Sequence, residues 1–288
     1  ENGANPTIRL AALTGLMGID KGQALTLVRQ KDFLQNASPA VRELVLELAA
    51  GAGERDDLAW LASKISSSNN SDPIWQAFRS ICQRQTAEVC LQWAEYFEKE
   101  NLHKDRIRQL YESAEQKALA EKAGSLLPKI WTRIFQIYNS EGEFEKSITL
   151  GGRIFNAETP AEIKDTLGPY YMKAVLNTKS WDKAAEIIKD YLGRKDIDGS
   201  SPILIMVEEF LRPDDAAKED KEMLIKALYD VKSGSDRPKW SAWISGLNKS
   251  FLSPPPEVKQ EKPSEGESSE NVLQETAKSP EADKEDPQ

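Results

Sequence analysis

The chain has 288 residues, of which 39% are hydrophobic and 30% are charged, and its mean hydropathy is −0.57. This composition is typical of a soluble protein with one or two ordered domains, and it excludes a collagen, a disulfide scaffold and a membrane-spanning protein. The 38 Lys and Arg against 47 Asp and Glu give a net charge of −9, which argues against a nonspecific binder of nucleic acid or anionic membrane.

The ends of the sequence carry no recognisable targeting signal. Residues 1–30 lack the charged start and apolar core of a signal peptide, and no stretch of about 18 apolar residues occurs. The missing signal favours a cytoplasmic location. Because the chain begins at Glu1 rather than Met, the sequence also indicates a processed protein or the distal, truncated part of a longer one.

Apolar residues recur at spacings of three and four throughout residues 5–252, as in the stripe of Val41, Leu44, Val45 and Leu48. No period-two run of Val, Ile and Thr indicates a strand. Glycines and asparagines interrupt the stripes, which predicts helices of roughly 10–20 residues joined by short turns. The expected fold class is all-α, an α-solenoid of stacked antiparallel helical hairpins.

Residues 253–288 differ from the rest because they consist mainly of Pro, Glu, Ser and Lys. Ten acidic residues against four lysines give this segment a charge of −6. Three consecutive prolines, at 254–256, close off the preceding helix. The segment is predicted to be a disordered acidic C-terminal tail.

The N-terminal part of the sequence contains an internal repeat. The sequence NPTIR at 5–9 returns as SPAVR at 38–42 and, more weakly, as DPIWQ at 72–76, at offsets of 33 and 34 residues. Each signature suits a helix start, because Asn, Ser or Asp can cap free amides and Pro at the first helical position loses no hydrogen bond. A second helix is predicted after each, at about 22–34, 54–66 and 86–100.

These units resemble short HEAT repeats over residues of about 5–100, and they define a HEAT-like domain at 1–103. The resemblance depends on the Pro-x-Val-Arg-like start, and the third unit departs from it with Trp75 and Gln76. Arg9 and Arg42 are expected to form a ladder of hydrogen bonds between repeats rather than to bind a ligand.

A different motif begins at Leu127 and has the spacing of a tetratricopeptide (TPR) repeat, carried by Trp131, Ile134, Phe135, Tyr138, Gly142, Phe144, Ser147, Ile148 and Pro160. The resemblance implies a tight turn at Gly142 and a second helix that presses against the first through small side chains. Phe135 stands where the family prefers Gly or Ala, which implies a wider separation of the two helices.

A second TPR-like unit is marked by WDKAAE at 181–186, which matches FEKSIT at 144–149 at an offset of 37. Its first helix is expected near 169–177. A third pair is expected at about 202–211 and 216–232, followed by an amphipathic capping helix at 238–252. The TPR-like repeats thus cover about 125–232 and the domain 125–252.

The segment 104–124 between the two arrays is predicted to be a bridging helix. One face of it is expected to be buried, formed by Ile107, Leu110, Tyr111, Ala114 and Leu119.

Reactive groups are scarce in the sequence. The only histidine, His103, stands in a turn-like segment without a neighbouring cysteine or carboxylate cluster, and no phosphate loop, dinucleotide fingerprint, HExxH or GxSxG is present. The chain is therefore expected not to be an enzyme, with no catalytic residue, cofactor or metal site. The tryptophans occur at helix-stripe positions, which favours core packing over a nucleic-acid platform.

Cys82 and Cys90 are too few for a disulfide framework and wrongly spaced for a zinc site or a CxxC motif. They flank a predicted helix–helix turn near 84–86. Free buried cysteines and a pair facing each other across this hairpin both stay open at this point.

The solenoid is expected to bind a protein segment in a concave groove lined by the first helices of successive repeats. Projected from the TPR resemblance, the candidate peptide-binding residues are Lys129, Arg133, Gln136, Asn139, Tyr170, Lys173 and Asn177. The function expected is a non-enzymatic scaffold or adaptor for a protein or an extended peptide, an acidic one included, without nucleic acid or membrane as partner. The alternative is a passive spacer domain of a larger protein that carries an enzymatic domain upstream.

Overall fold

The computed structural model describes residues 6–31, 33–65, 72–101, 103–156, 158–195, 201–213, 217–232 and 238–252. Within these ranges the regular structure is α-helical and no strand occurs, which confirms the all-α class. The predicted tail at 253–288 lies outside the described residues. In chain order the helices are α1 (Pro6–Ile19), α2 (Lys21–Gln30), α3 (Phe33–Asn36), α4 (Pro39–Ala52), α5 (Arg55–Ala62), α6 (Pro73–Cys82), α7 (Ala87–Lys99), α8 (Lys104–Ala120), α9 (Leu127–Glu141), α10 (Phe144–Ile154), α11 (Ala161–Asn177), α12 (Trp181–Arg194), α13 (Pro202–Leu211), α14 (Lys218–Lys232) and α15 (Pro238–Phe251).

The three repeated prolines begin helices, as predicted. Pro6, Pro39 and Pro73 are the first residues of α1, α4 and α6. Asp72 caps α6, because its Oδ1 accepts a hydrogen bond from the Ile74 amide at 2.9 Å. The second helices of these units are α2, α5 and α7, all inside or within a residue of the predicted ranges.

Twelve of the fifteen described helices lie in two rows, as their contacts show. We define row B as α1, α4, α6, α8 and α10, and row A as α2, α5, α7, α9, α11, α13 and α15. Neighbours within row B are α1 with α4, α4 with α6, α6 with α8, and α8 with α10. Neighbours within row A are α2 with α5, α5 with α7, α7 with α9, α9 with α11, α11 with α13, and α13 with α15. Contacts such as α5 with α6 and α8 with α9 join the rows.

Helix α8 changes which row the first helix of a pair occupies. The first helices of the N-terminal pairs, α4 and α6, lie in row B. Because α8, which packs on both α7 and α9, continues row B, the first helices of the later pairs, α9 and α11, lie in row A. This differs from the prediction that the first helices of all repeats line one groove.

Two buried charged residues hold α8 to its neighbours. Arg106 is fully buried, and its guanidinium carbon lies 5.4 Å from the ring centroid of Trp75 on α6. Its Nη2 lies 4.0 Å from Asp72 Oδ2. Toward the other side, Glu115 accepts hydrogen bonds from Trp131 Nε1 on α9 at 2.8 Å and from Arg153 Nη2 on α10 at 3.1 Å. A buried charge is tolerated only with such partners, so α8 is fixed on both sides.

The apolar face of α8 agrees with the prediction except at its end. Ile107, Leu110, Tyr111 and Ala114 are buried, whereas Leu119 is 48% exposed. Ala118 is buried instead, because it lies one helical turn after Ala114 and so continues the same face.

The phenol of Tyr111 also joins α8 to α7. Its hydroxyl donates a hydrogen bond to Glu98 Oε2 at 2.8 Å. Burial and this hydrogen bond raise the pKa of Tyr111 above its ordinary value, so the phenol stays protonated and remains a donor at neutral pH.

Aromatic side chains fill the space between α6 and α7. Phe78 packs edge-on against Trp93 and Phe97, with ring centroids 5.3 Å and 5.2 Å away, and Trp75 lies 5.6 Å from Phe78. Trp75, Phe78 and Phe97 are fully buried. The prediction that tryptophans pack in the core is confirmed here, and all seven contribute to or pack against the core.

The turn at Gly142 has the predicted form. Gly142 has a φ of 72°, and the Glu143 amide donates to the Tyr138 carbonyl at 2.9 Å. The turn recurs 37 residues later, where Lys179 has a φ of 57° and the Ser180 amide donates to the Val175 carbonyl at 3.0 Å. The sequence offset therefore corresponds to a repeated backbone turn.

The first helix of the second C-terminal pair begins earlier than expected. Helix α11 starts at Ala161, before the predicted start near 169, and continues through Pro169. A Cβ at the preceding Gly168 would lie 2.5 Å from Ile203 Cδ1 of α13, so glycine is required there by the close approach of a neighbouring helix rather than by a turn.

A second close approach joins α10 to α11. The Tyr171 ring packs on Gly151, and a Cβ at that position would lie 2.4 Å from Tyr171 Cδ2. Phe135, which was expected to separate two helices of one pair, is fully buried, and its ring centroid lies 6.5 Å from those of Tyr170 and Tyr171.

We expect Gly151→Ala to lower the free energy of unfolding by about 1–3 kcal/mol, because the added methyl group overlaps the Tyr171 ring. The adjacent Gly152→Ala is the matched control, since no atom lies within 4 Å of its Cβ position. It should stabilise the chain by about 0.5–1 kcal/mol through helix propensity. Denaturant unfolding of both variants checks this. Equal effects at the two glycines would contradict the packing of α11 on α10.

Candidate protein-binding surface

Helix α9 is placed by an apolar stripe that faces the core. Ile130, Ile134 and Phe135 are fully or almost fully buried. The helical period then turns Lys129, Arg133 and Gln136 away from that stripe. We call the polar strip that crosses α7, α9 and α11 in row A the row A surface.

Two cations of α9 reach across to carboxylates of α7. Lys129 Nζ contacts Glu95 Oε1, and Arg133 Nε lies 3.8 Å from Glu98 Oε2. The side chains of Lys129 and Arg133 are 59% and 45% exposed. Exposed ion pairs contribute little net energy, so both cations can exchange these partners for a ligand at small cost.

A chain of hydrogen bonds continues from α9 to α11. Arg133 Nη1 donates to Gln136 Oε1 at 2.9 Å, and Gln136 Nε2 donates to the Tyr170 hydroxyl at 3.0 Å. Gln136 and Tyr170 are half-buried. The structure thus brings these three predicted residues together into one network.

Asn139 has a different environment from the other candidates. It is buried, its Nδ2 donates to the Tyr170 carbonyl at 2.9 Å, and its Oδ1 accepts from Ser147 Oγ at 2.8 Å. Its amide therefore joins α9 to α10 and α11, and both ends of it are used inside the protein.

Lys173 and Asn177 extend the strip along α11. Both are exposed, at positions one and two turns after Tyr170. Asn177 Nδ2 donates to the Lys173 carbonyl of its own helix at 2.8 Å. Six of the seven predicted residues therefore share the row A surface, and Asn139 lies beneath it.

A pocket next to this strip was not predicted from the sequence. It has a volume of about 410 Å³ and lies between α5 and α7, lined by Arg55, Asp56, Ala59, Gln92, Trp93 and Tyr96. Tyr96 is 44% exposed, and its ring centroid lies 5.2 Å from that of Trp93. Glu95, the partner of Lys129, neighbours Tyr96 on α7, so the pocket and the strip share this helix.

A larger groove lies in row B, between α4 and α6. It has a volume of about 670 Å³, and Arg42 is one of the residues that line it. The prediction that Arg42 forms a ladder between repeats is wrong, because its guanidinium makes no hydrogen bond or ion pair with the residues that the structure describes. Arg84 instead joins two pairs, since its Nη2 donates to the Gly53 carbonyl at 2.8 Å and its Nη1 to the Ala50 carbonyl.

The densest group of carboxylates surrounds a cation. Arg108 lies 2.9 Å from both Asp105 and Glu141, 3.2 Å from Glu143 and 3.9 Å from Glu112. Across the described ranges, no group of three or more His, Cys, Asp or Glu side chains is arranged to hold a metal ion. These carboxylates pin the start of α8 to the turn after α9.

Neither a family model, a curated protein nor a solved structure matches this chain. A search of the described residues finds no helix long and apolar enough to cross a membrane.

The contacts of Asn139 predict that it stabilises the fold. Asn139→Ala leaves the Ser147 hydroxyl and the Tyr170 carbonyl without their partner and should cost about 2–3 kcal/mol of unfolding free energy. Asn177→Ala, an exposed residue on the same surface, should change it by less than about 0.5 kcal/mol. Denaturant unfolding distinguishes the two. If Asn139→Ala left the free energy of unfolding unchanged, Asn139 would again be a candidate for ligand binding.

Proposed function

We propose that this chain is a non-enzymatic interaction scaffold that binds a protein segment on the row A surface. In this proposal it is an α-solenoid, HEAT-like from α1 to α7 and TPR-like from α9 onward. The proline-led helices α4 and α6 and the repeated turn at Gly142 and Lys179 support this. So does the packing of each helix on its near neighbours in the chain.

The observation that carries the proposal is the exposure of three cations on adjoining helices of one surface. Lys129 and Arg133 on α9 and Lys173 on α11 are all exposed. A guanidinium offers a planar pair of donors to a carboxylate, so Arg133 suits an acidic side chain of an extended peptide.

The pocket between α5 and α7 adds a place for an apolar anchor. Trp93 and Tyr96 form one side of it, and aromatic residues of this kind are enriched where protein partners bind. A segment that runs across row A would place an apolar side chain there and an acidic side chain near Arg133. The partner class proposed is therefore an extended peptide with both features.

We propose a non-enzymatic role because the polar side chains of the row A surface form hydrogen bonds with one another or with their own helix. Gln136 Nε2 donates a hydrogen bond to the Tyr170 hydroxyl, and Asn177 Nδ2 donates one to the Lys173 carbonyl of its own helix. His103 lies 3.7 Å from Asp105, but Asp105 is also bound to Arg108 at 2.9 Å. No pairing here resembles a nucleophile with its general base among the described residues.

The double variant Arg133→Ala/Lys173→Ala tests the proposal. The loss of two exposed charges should leave the helix content unchanged and shift the Tm by no more than about 2–4 °C. Capture of proteins from a lysate of the source cells by the immobilised full chain should fall about tenfold, and wild-type capture should weaken as salt screens the charges.

The matched control is Lys183→Ala/Lys189→Ala, which removes two exposed lysines of α12, outside row A. It should capture the same proteins as the wild type. If the Arg133 and Lys173 variant also captures them undiminished, the row A surface is not the binding site and the chain is better described as a spacer.

A further inference from the structure

The two cysteines meet at the closed end of the α6–α7 hairpin. Cys82 is the last residue of α6, and Cys90 lies in the first turn of α7. Both are free and buried, 1% and 0% exposed. The Cys90 thiol donates a hydrogen bond to the Cys82 carbonyl at 3.2 Å, which brings the Cys90 sulfur against the backbone of Cys82.

The surroundings of Cys90 include groups that favour an anion. It belongs to the N-terminal turn of α7, whose free amides carry partial positive charge. Lys117 of α8 and Glu121, the residue that follows α8, act on the Cys90 sulfur with opposite effects, and Glu121 Oε2 also accepts a hydrogen bond from the Ala87 amide at 3.1 Å. A hydrogen bond available from the Cys82 thiol to the ionised sulfur, aided by Lys117, lowers the pKa of Cys90.

Cys82 has the opposite role in this pair. Its interaction with the Cys90 sulfur, together with burial, raises the pKa of the Cys82 thiol. The pair therefore resembles an attacking thiolate beside a protonated thiol that can react second. The bond from Cys90 to the Cys82 carbonyl belongs to the protonated form of Cys90 and is given up when Cys90 ionises.

The rest of the hairpin is held independently of the sulfurs. Phe78, one turn before Cys82, and Trp93, one turn after Cys90 on the neighbouring helix, pack edge-on at 5.3 Å. The bond between the two sulfurs would thus close an end of the hairpin that aromatic packing already keeps together.

We propose that Cys82 and Cys90 form an oxidation site in which a peroxide converts the two thiols into an intramolecular disulfide. Cys90 first releases its proton, and the resulting thiolate attacks one oxygen of hydrogen peroxide. The O–O bond breaks, and the departing hydroxide combines with the released proton to form water. Cys90 is then a sulfenic acid. The Cys82 sulfur attacks the Cys90 sulfur, the S–O bond breaks, and hydroxide leaves with the Cys82 proton as a second water.

The balance is two thiols and one peroxide to one disulfide and two waters, with two electrons passing from the sulfurs to the peroxide oxygens. Hydrogen peroxide is the oxidant proposed because both sulfurs are buried, which excludes a larger disulfide reagent more strongly than a small peroxide. The oxidised hairpin would hold α7, which carries Trp93 and Tyr96, more rigidly against α6. The site itself does not depend on the proposed function.

The experiment treats the folded full chain with a small excess of hydrogen peroxide and follows its intact mass and peptides without reduction. Trypsin cleaves after Arg84, so the two cysteines fall on separate peptides, 80–84 and 85–99. We expect a mass loss of about 2 Da, one linked peptide pair and the disappearance of both thiols. Thiols that stay intact in the folded chain, a disulfide between two chains, or separate overoxidation without a link would each overturn the proposal.

Two single variants establish the order of the steps. In Cys82→Ala, Cys90 should be oxidised more slowly than in the wild type, because the hydrogen bond that lowers its pKa is lost, and it should stop as a sulfenic acid that a dione probe captures, because no second thiol is present. In Cys90→Ala, oxidation of Cys82 should be at least about tenfold slower than that of Cys90 in Cys82→Ala, because burial still raises the pKa of the Cys82 thiol. Equal rates in both variants would remove Cys90 from the role of attacking group. Circular dichroism of each variant verifies that the chains compared are folded.

Discussion

The pairing of the two buried charges of α8 is the constraint on which the rest of the arrangement depends. Arg106 lies against Trp75 and Asp72, and the Glu115 carboxylate accepts hydrogen bonds from Trp131 and Arg153. Neither charge could remain buried without such partners. Helix α8 is thus held against three neighbouring helices, α6, α9 and α10. From α4 to α11, successive helices alternate between the two rows. Because α8 is a single helix between the N-terminal and C-terminal pairs, it shifts this alternation by one helix, and α9 lies in row A.

This displacement decides which residues can act together. Without α8 in row B, the first helices of all pairs would share one side, and Lys129 and Arg133 of α9 would neighbour α6. Instead they face the carboxylates of α7, Glu95 and Glu98, and continue to Tyr170 of α11. The proposed binding surface therefore combines a second helix of the N-terminal pairs with first helices of the C-terminal pairs. The aromatic pocket of α5 and α7 belongs to the same row for the same reason.

Features that depend on local chemistry could be predicted from the sequence, and features that depend on neighbours could not. The starts at Pro39 and Pro73 and the turn at Gly142 follow from the backbone preferences of those residues alone. The seven candidate residues were projected from the TPR resemblance. Six of them lie on the row A surface, but a projected pattern could not show that the amide of Asn139 is used by Ser147 and Tyr170. The close approach of Ile203 to Gly168 depends on a neighbouring helix and has no local signal in the sequence. Arg84, which the repeat pattern does not single out, makes the contacts between pairs that were expected of Arg42.

Zero-length coupling with a carbodiimide, followed by peptide mass spectrometry, measures the row arrangement most directly, because it joins only amines and carboxylates that already touch. With α8 in row B, Lys129 should be coupled to Glu95, joining α9 to α7 through an amide bond. The exposed Lys183 of α12 should show no coupling to α7. If Lys129 were coupled instead to Glu43 or Glu47 of α4, α9 would lie on the row B side, and the surface proposed to bind a protein segment would not exist as described.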